Sequence, residues 1–305
     1  MELVDHNAKE QSKLSKEEWR EYTKTVWQIA NTTDPDHPAV FPVEIPRRLV
    51  KLFSFVGETI LDPFAGVGST ALAALELNRR SISVDQSADF IKLVEARLGE
   101  AFPGRETDWS AQAADCRQLT FLEDASVELI VTSPPYWNKA DYGDSAANLG
   151  SIDSYPEFLR QLRPALEECF RVLKPERKLG LVTANVNQHT DHGLLTFPLA
   201  TDIAVILRDI GFVMINEIIW SKDKTGGRWG SANGQRPIFG SYPYPPNFLF
   251  KNVHEYVLIF ARPGTPRSRG KTALPYSELM ELGEWNTPSE AITYVREHNG
   301  HRPKP

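Results

Sequence analysis

From residue 59 onward, short runs rich in β-branched residues that stop at Asp, Gly or Pro alternate with amphipathic stretches, and this alternation leaves few architectures open. Strand-like runs separated by helical stretches read as a parallel sheet with helical crossovers. Strands are expected at 59–62, 81–85, 110–114, 127–132 and 179–185, with helices at 69–77, 87–98, 155–173 and 197–210. Within 155–173, Phe158, Leu162, Leu166, Phe170 and Leu173 keep helical spacing. Near the end the alternation breaks. Residues 212–220 and 254–261 are strand-like with no amphipathic helix between them, so they are expected to pair antiparallel at one edge of the sheet. The stretch 221–253 that separates them is rich in Gly and Pro, lacks periodicity and reads as an inserted loop module. Before the sheet, a helix is expected at 15–29, anchored by Trp19, Val26 and Trp27, and a second near Pro46, since proline is tolerated in a first turn.

A chain of 305 residues with 41% hydrophobic and 24% charged residues can bury a large core, which excludes wholesale disorder. The longest apolar stretches, such as Val257-Leu258-Ile259-Phe260, fall far short of the roughly 20 residues that span a bilayer. No membrane crossing is expected, and the charged N-terminus has no apolar signal segment, so a cytoplasmic location is expected. Cys116 and Cys169 offer neither a disulfide framework nor the paired spacing of a zinc site, and no metal centre is expected. The net charge of −6 argues at first sight against a nucleic-acid partner. Residues 220–271, however, hold 9 basic and 2 acidic side chains, so the acidity belongs to the remainder of the chain.

Two motifs carry chemistry. Asp62-Pro63-Phe64-Ala65-Gly66-Val67-Gly68-Ser69-Thr70 lies where the first strand meets the first helix, and its glycines permit close backbone approach to a ligand. The third glycine of a dinucleotide fingerprint and the lysine of a phosphate-binding loop are both missing, which favours a cofactor without a pyrophosphate. Asp85, ending the second strand, is placed to accept from both hydroxyls of a ribose. Asp115, ending the third, is placed to reach an adenine amino group. The second motif is Ser133-Pro134-Pro135-Tyr136, at the end of the fourth strand. Two prolines fix a rigid corner there. Ser133 Oγ and the Pro134 carbonyl are then candidate acceptors for an exocyclic amine, and Tyr136 offers a flat face for stacking a base.

These residues resemble the S-adenosylmethionine-dependent DNA amino-methyltransferases, which modify N4 of cytosine or N6 of adenine. Asp62 to Thr70 is similar to their cofactor motif and Ser133 to Tyr136 to their catalytic tetrapeptide. The segment His37-Pro38-Ala39-Val40-Phe41-Pro42 resembles the one that packs against the methionine end of the cofactor. Ile218-Ile219-Trp220-Ser221-Lys222 and His254-Glu255-Tyr256-Val257-Leu258-Ile259-Phe260 resemble the edge strands flanking recognition loops. The resemblance implies a Rossmann-like α/β fold and S-adenosylmethionine as cofactor. The cofactor would be held by His37, Pro38, Phe41, Asp62, Phe64, Ala65, Gly66, Gly68, Ser69, Thr70, Asp85, Asp115 and Cys116. Ser133, Pro134, Pro135 and Tyr136 would form the catalytic site, acting by base flipping and direct transfer. Cytosine C5 chemistry needs a thiolate nucleophile, usually preceded by proline, and neither cysteine here fits; both are expected in the core.

Double-stranded DNA is the expected partner, contacted through Lys222, Lys224, Arg228, Arg236 and Lys251, with Arg262, Arg267, Arg269 and Lys271 beyond them. A cognate restriction endonuclease acting on the same site is a further expected partner. The loop 138–150 is a candidate lid, and Trp137 a candidate second stacking ring. The expected division is a catalytic region 1–220, a target-recognition insert 221–253, the last sheet strand 254–263 and a C-terminal extension 264–305. A serine at the first tetrapeptide position resembles the cytosine-N4 group. Adenine-N6 methylation, RNA methylation and a catalytically silent DNA-binding protein are the alternatives.

Overall fold

The computed structural model describes residues 6–32, 41–137, 149–222 and 252–264. Its strands are β1 (Val26–Gln28), β2 (Thr59–Asp62), β3 (Arg80–Asp85), β4 (Trp109–Ala113), β5 (Val127–Thr132), β6 (Leu173–Thr183), β7 (Val186–Thr190), β8 (Gly193–Phe197), β9 (Val213–Ser221) and β10 (His254–Ala261). The helices are α1 (His6–Gln11), α2 (Lys16–Tyr22), α3 (Glu44–Phe53), α4 (Ser69–Glu76), α5 (Ala88–Ala101), α6 (Tyr155–Val172) and α7 (Leu199–Ile210). Eight strands form one sheet in the order β1-β9-β10-β6-β5-β2-β3-β4, and β7 and β8 form a separate hairpin. Every pairing in the large sheet is parallel except the two that β10 makes, with β6 and with β9. The expected α/β fold with a mostly parallel sheet is therefore present.

The near-continuous apolar runs of the central strands follow from burial on both faces. Ile60, Leu129, Val131, Val182, Val257 and Ile259 pack on one side with Ile45 and Leu49 of α3. Their neighbours Leu61, Ile130, Leu181, Leu258 and Phe260 pack on the other with Phe158 and Leu162 of α6 and Ile203 of α7. All six residues of β5 are buried, between β6 and β2 in the interior of the large sheet. Gly180 on β6 is required by this packing, because a Cβ there would lie 2.8 Å from Cδ1 of the fully buried Leu49. Gly180→Ala is expected to lower stability by about 1–3 kcal/mol through overpacking. Urea denaturation would measure that loss, and adding Leu49→Val should recover part of it.

Three stretches differ from expectation. The helix expected at 15–29 ends at Tyr22, after a capping box formed by Ser15 and Glu18. Val26, Trp27 and Gln28 instead pair parallel with Ile219, Trp220 and Ser221, so β1 lies outside the β9–β10 pair. Burying Trp27 completely between the sheet and α3 outweighs local helical preference. The strand expected at 179–185 begins six residues earlier, directly at the end of α6. The β7–β8 hairpin, which turns at Asp191-His192 and resumes at Gly193 with φ +93°, was not expected at all. Among the described residues, no helix is long and apolar enough to cross a membrane.

Candidate active site

β2 has β3 on one side and β5 on the other, so the direction of strand succession reverses there, and in open α/β sheets the crevice at the carboxyl ends of the strands beside such a point is where ligands bind. Four candidate positions meet at this rim: Asp62 ends β2, Asp85 ends β3, Asp115 follows β4 by two residues, and Ser133 follows β5.

Asp62 is 1% exposed. Its Oδ1 accepts from Thr132 Oγ1 at 2.6 Å and from the Phe64 amide at 3.1 Å, which ties the ends of β2 and β5 together. Its Oδ2 is buried without a hydrogen-bond partner among the described residues. Burial pushes the Asp62 pKa up to about 6, against the hydrogen bonds from Thr132 and the Phe64 amide that favour the carboxylate. The loop that follows turns through Gly66 at φ +49° and Gly68 at φ +86°, left-handed conformations suited to glycine. A Cβ on Gly68 would also crowd Val94 of α5 at 3.2 Å. Asp85 closes the loop from the other side, its Oδ2 accepting from the Gly66 amide and its Oδ1 from the Ser87 amide, both at 2.9 Å. Burial raises the Asp85 pKa, and those two amides oppose it.

Asp115 is placed differently from the simple acceptor expected. Both of its oxygens accept from the Arg117 guanidinium, at 2.7–3.0 Å, and Arg117 in turn donates to Gln161. The hydrogen bonds from Arg117 hold the Asp115 carboxyl below its ordinary range. A carboxylate retains further lone pairs, so any adenine contact would share the group with Arg117. Cys116 beside it is buried, and burial pushes its thiol up to about 12, so it stays a neutral thiol rather than a nucleophile. Phe64 packs on the main core, Phe41 packs beside α3, and Ala65, Ser69 and Thr70 are buried.

At the tetrapeptide, Ser133 Oγ donates to the Val182 carbonyl on β6 at 3.2 Å. A hydroxyl has one proton, and a carbonyl cannot donate, so toward any other group in the crevice Ser133 acts only as an acceptor. Pro134 is buried, while Ser133, Pro135 and Tyr136 are partly exposed. The Tyr136 hydroxyl donates to Glu255 Oε2 at 2.8 Å, and Lys222 is ion-paired with Glu255 Oε1. Trp137 is not a second stacking face. Its indole donates to the Ile152 carbonyl and packs on Tyr155 and Phe197 at centroid distances of 5.0 and 4.6 Å, so it is a core residue.

Two of the expected DNA contacts require correction. Lys222 is 3% exposed with its ammonium paired to Glu255, which removes it from the surface where phosphates bind. Arg262 donates to the carbonyls of Arg171 and Leu173, at the opposite end of the sheet from the crevice. His37, Pro38, Lys224, Arg228, Arg236, Lys251, Arg267, Arg269, Lys271 and residues 138–148 lie outside the described residues. Val182 and Glu255 were not expected to take part. The one signal of Glu255 in the sequence is a carboxylate opening an otherwise apolar strand. Among the described residues, no group of three or more His, Cys, Asp or Glu side chains could hold a metal ion.

A family model described as DNA methylase matches residues 2–96 and 127–300. The type II methyltransferase M.BglI of Bacillus subtilis is 41% identical over 110 residues, which cover 35% of this chain and 30% of that protein. M.MjaI of Methanocaldococcus jannaschii, also a type II methyltransferase, is 38% identical over 94 residues, covering 29% and 31%. The chain thus spans under a third of the length of these two relatives. A crystallised protein of Thermus thermophilus, described as a DNA modification methylase complexed with S-adenosyl-L-methionine, is 31% identical, with a TM-score of 0.37 over 55% of this chain and 64% of that one.

Proposed function

The chain belongs to the DNA methylase family, and from that premise we propose that it transfers a methyl group from S-adenosylmethionine to the exocyclic N4 amine of a cytosine flipped out of double-stranded DNA. The observation that carries the reading is the acceptor-only Ser133 hydroxyl beside the Pro134 carbonyl, at the carboxyl end of β5 next to the Asp62 pocket.

The residues present suit the cofactor. A buried Asp62 oxygen without a partner calls for a donor, preferably cationic, and the amine of S-adenosylmethionine is one. The glycine loop lets backbone approach closely, and Asp85 keeps lone pairs for ribose hydroxyls. When bound, this cofactor supplies an electrophilic methyl group on a sulfonium.

An exocyclic amine conjugated with its ring is a poor nucleophile because its lone pair is delocalised. Ser133 Oγ and the Pro134 carbonyl, each accepting one N–H, would favour a pyramidal nitrogen with its lone pair directed out of the ring plane. The chain's contribution is positioning and electrostatics, with no covalent enzyme intermediate. Tyr136 stacks on the extruded base. The preference for N4 rests on the serine at the first tetrapeptide position. DNA affinity is assigned to the basic residues Lys224, Arg228, Arg236 and Lys251, and an endonuclease reading the same site is the proposed biological partner.

The test is product identification. Mixed DNA methylated with labelled cofactor and digested to nucleosides is expected to yield N4-methylcytosine by mass. N6-methyladenine would replace the base assignment, and label incorporated into RNA alone would overturn the reading.

A further inference from the structure

Behind the tetrapeptide lies a polar chain, buried at Glu255 and Lys222, that the transfer step does not use. The Tyr136 hydroxyl meets one oxygen of Glu255, and the Lys222 ammonium meets the other. Glu255 is 9% and Lys222 3% exposed. The Lys222 ammonium sits 4.1 Å above the Trp220 ring, and Trp220, paired across the sheet with Glu255, is pinned by its own indole N–H to the Ile29 carbonyl at 2.9 Å. Glu255 reaches the crevice because β10 runs against the sheet, so that its first residues lie beside the carboxyl end of β6, where Tyr256 pairs with Thr183.

A buried ion pair is weak evidence of stabilisation, since well-packed apolar residues of similar volume are often as stable or more so. What such a pair does well is fix geometry. A tyrosine ring tethered only at its Cβ can turn about two torsions. Held also at its hydroxyl, the far tip of the ring, it keeps one plane. We propose that Glu255, itself held by Lys222, is a positioning residue that sets the Tyr136 ring in the orientation needed to stack on the flipped base. This rests on the reading of Ser133 to Tyr136 as the target-base pocket. Glu255 does not touch the reacting atoms, and its effect passes through the Tyr136 hydroxyl.

The test is a double-mutant cycle on the full chain with Tyr136→Phe, which removes only the hydroxyl, and Glu255→Gln, which keeps the shape but places an amide between two donors. Each single variant is expected to lower kcat about tenfold, the worth of one hydrogen bond to a charged group. The double variant should lose no more than either alone. The Kd for S-adenosylmethionine should stay within about twofold, because the hydrogen bonds that frame Asp62 and the glycine loop come from Thr132, Phe64 and Asp85. Lys222→Met should behave as Glu255→Gln does, and Lys222→Arg should restore most of the rate. Additive losses, near a hundredfold in the double variant, would overturn the proposal, as would an unimpaired Tyr136→Phe. So would parallel loss of kcat and cofactor affinity, the mark of a merely structural role. Wild-type protein that methylates no DNA would overturn the functional reading itself, so the wild-type control separates the two failures.

Discussion

Ser133→Ala is expected to lower turnover by about 10²–10³-fold, the scale of removing one group that stabilises a transition state, while leaving cofactor affinity unchanged. The separation follows from the wiring at the end of β5. Thr132, not Ser133, bonds to the Asp62 carboxylate, so the cofactor pocket keeps its frame when the serine hydroxyl is lost. What disappears is the acceptor held in orientation by the Val182 carbonyl. The corner made by Pro134 and Pro135 remains, since its rigidity is covalent. Single-turnover methyl transfer and calorimetric titration of the cofactor, run on the same preparation, check the two halves. Equal loss of both would make Ser133 a structural residue of the pocket.

The second large effect concerns Asp62. Its carboxyl, buried with one unpartnered oxygen, has a pKa of about 6, so below that pH it is increasingly protonated and loses its attraction for a cationic ligand. Affinity for S-adenosylmethionine is therefore expected to fall as pH drops below about 6 and to level off above it. Asp62→Asn should abolish this pH dependence and weaken binding at neutral pH by about 10- to 150-fold, the range for a hydrogen bond to a charged group. Stability without ligand carries the reverse sign. The folded-state pKa lies above the ordinary 3.8, so stability from this group is full below pH 3.8 and is lost as pH rises toward about 6. The loss amounts to ~3 kcal/mol. Calorimetric titration at several pH values, and denaturation of the wild type against Asp62→Asn, check both parts. A pH-independent wild-type affinity would remove Asp62 from the cofactor site.

Strands 59–62, 127–132 and 254–261 were legible to the residue because their apolar runs are bounded by Asp, Pro or a charged start, and burial on both faces leaves no polar alternation to mislead. The ends of strands 59–62, 81–85 and 127–132 supplied the candidate positions Asp62, Asp85 and Ser133, and the sheet brings them to one rim. What stayed hidden depends on partners distant in the chain. β1 exists because β9 is there to pair with it, and nothing within residues 23–28 announces a strand. Lys222 reads as one more basic residue of a positive segment until Glu255, 33 residues away, neutralises it. The same holds for Trp137, which reads as a pocket ring until Tyr155 and Phe197 enclose it, whereas Asp115 was missed for a local reason, the guanidinium of Arg117 two residues on folding back over its carboxylate.

The inward position of β10 also has a consequence in time. Tyr136 and its anchor Glu255 are 119 residues apart, and at 5–20 residues per second a ribosome needs about 6–24 s to add that stretch. Until it has, β6 has no partner on the side away from β5, and the Tyr136 hydroxyl lacks its bond to Glu255. A nascent chain can thus assemble the Asp62 loop early, from β2 and β3 and their helices, but completes the base-binding corner only when the last sheet strand slots between β6 and β9. The exposed flank of β6 is, in that interval, an unpaired edge open to another chain.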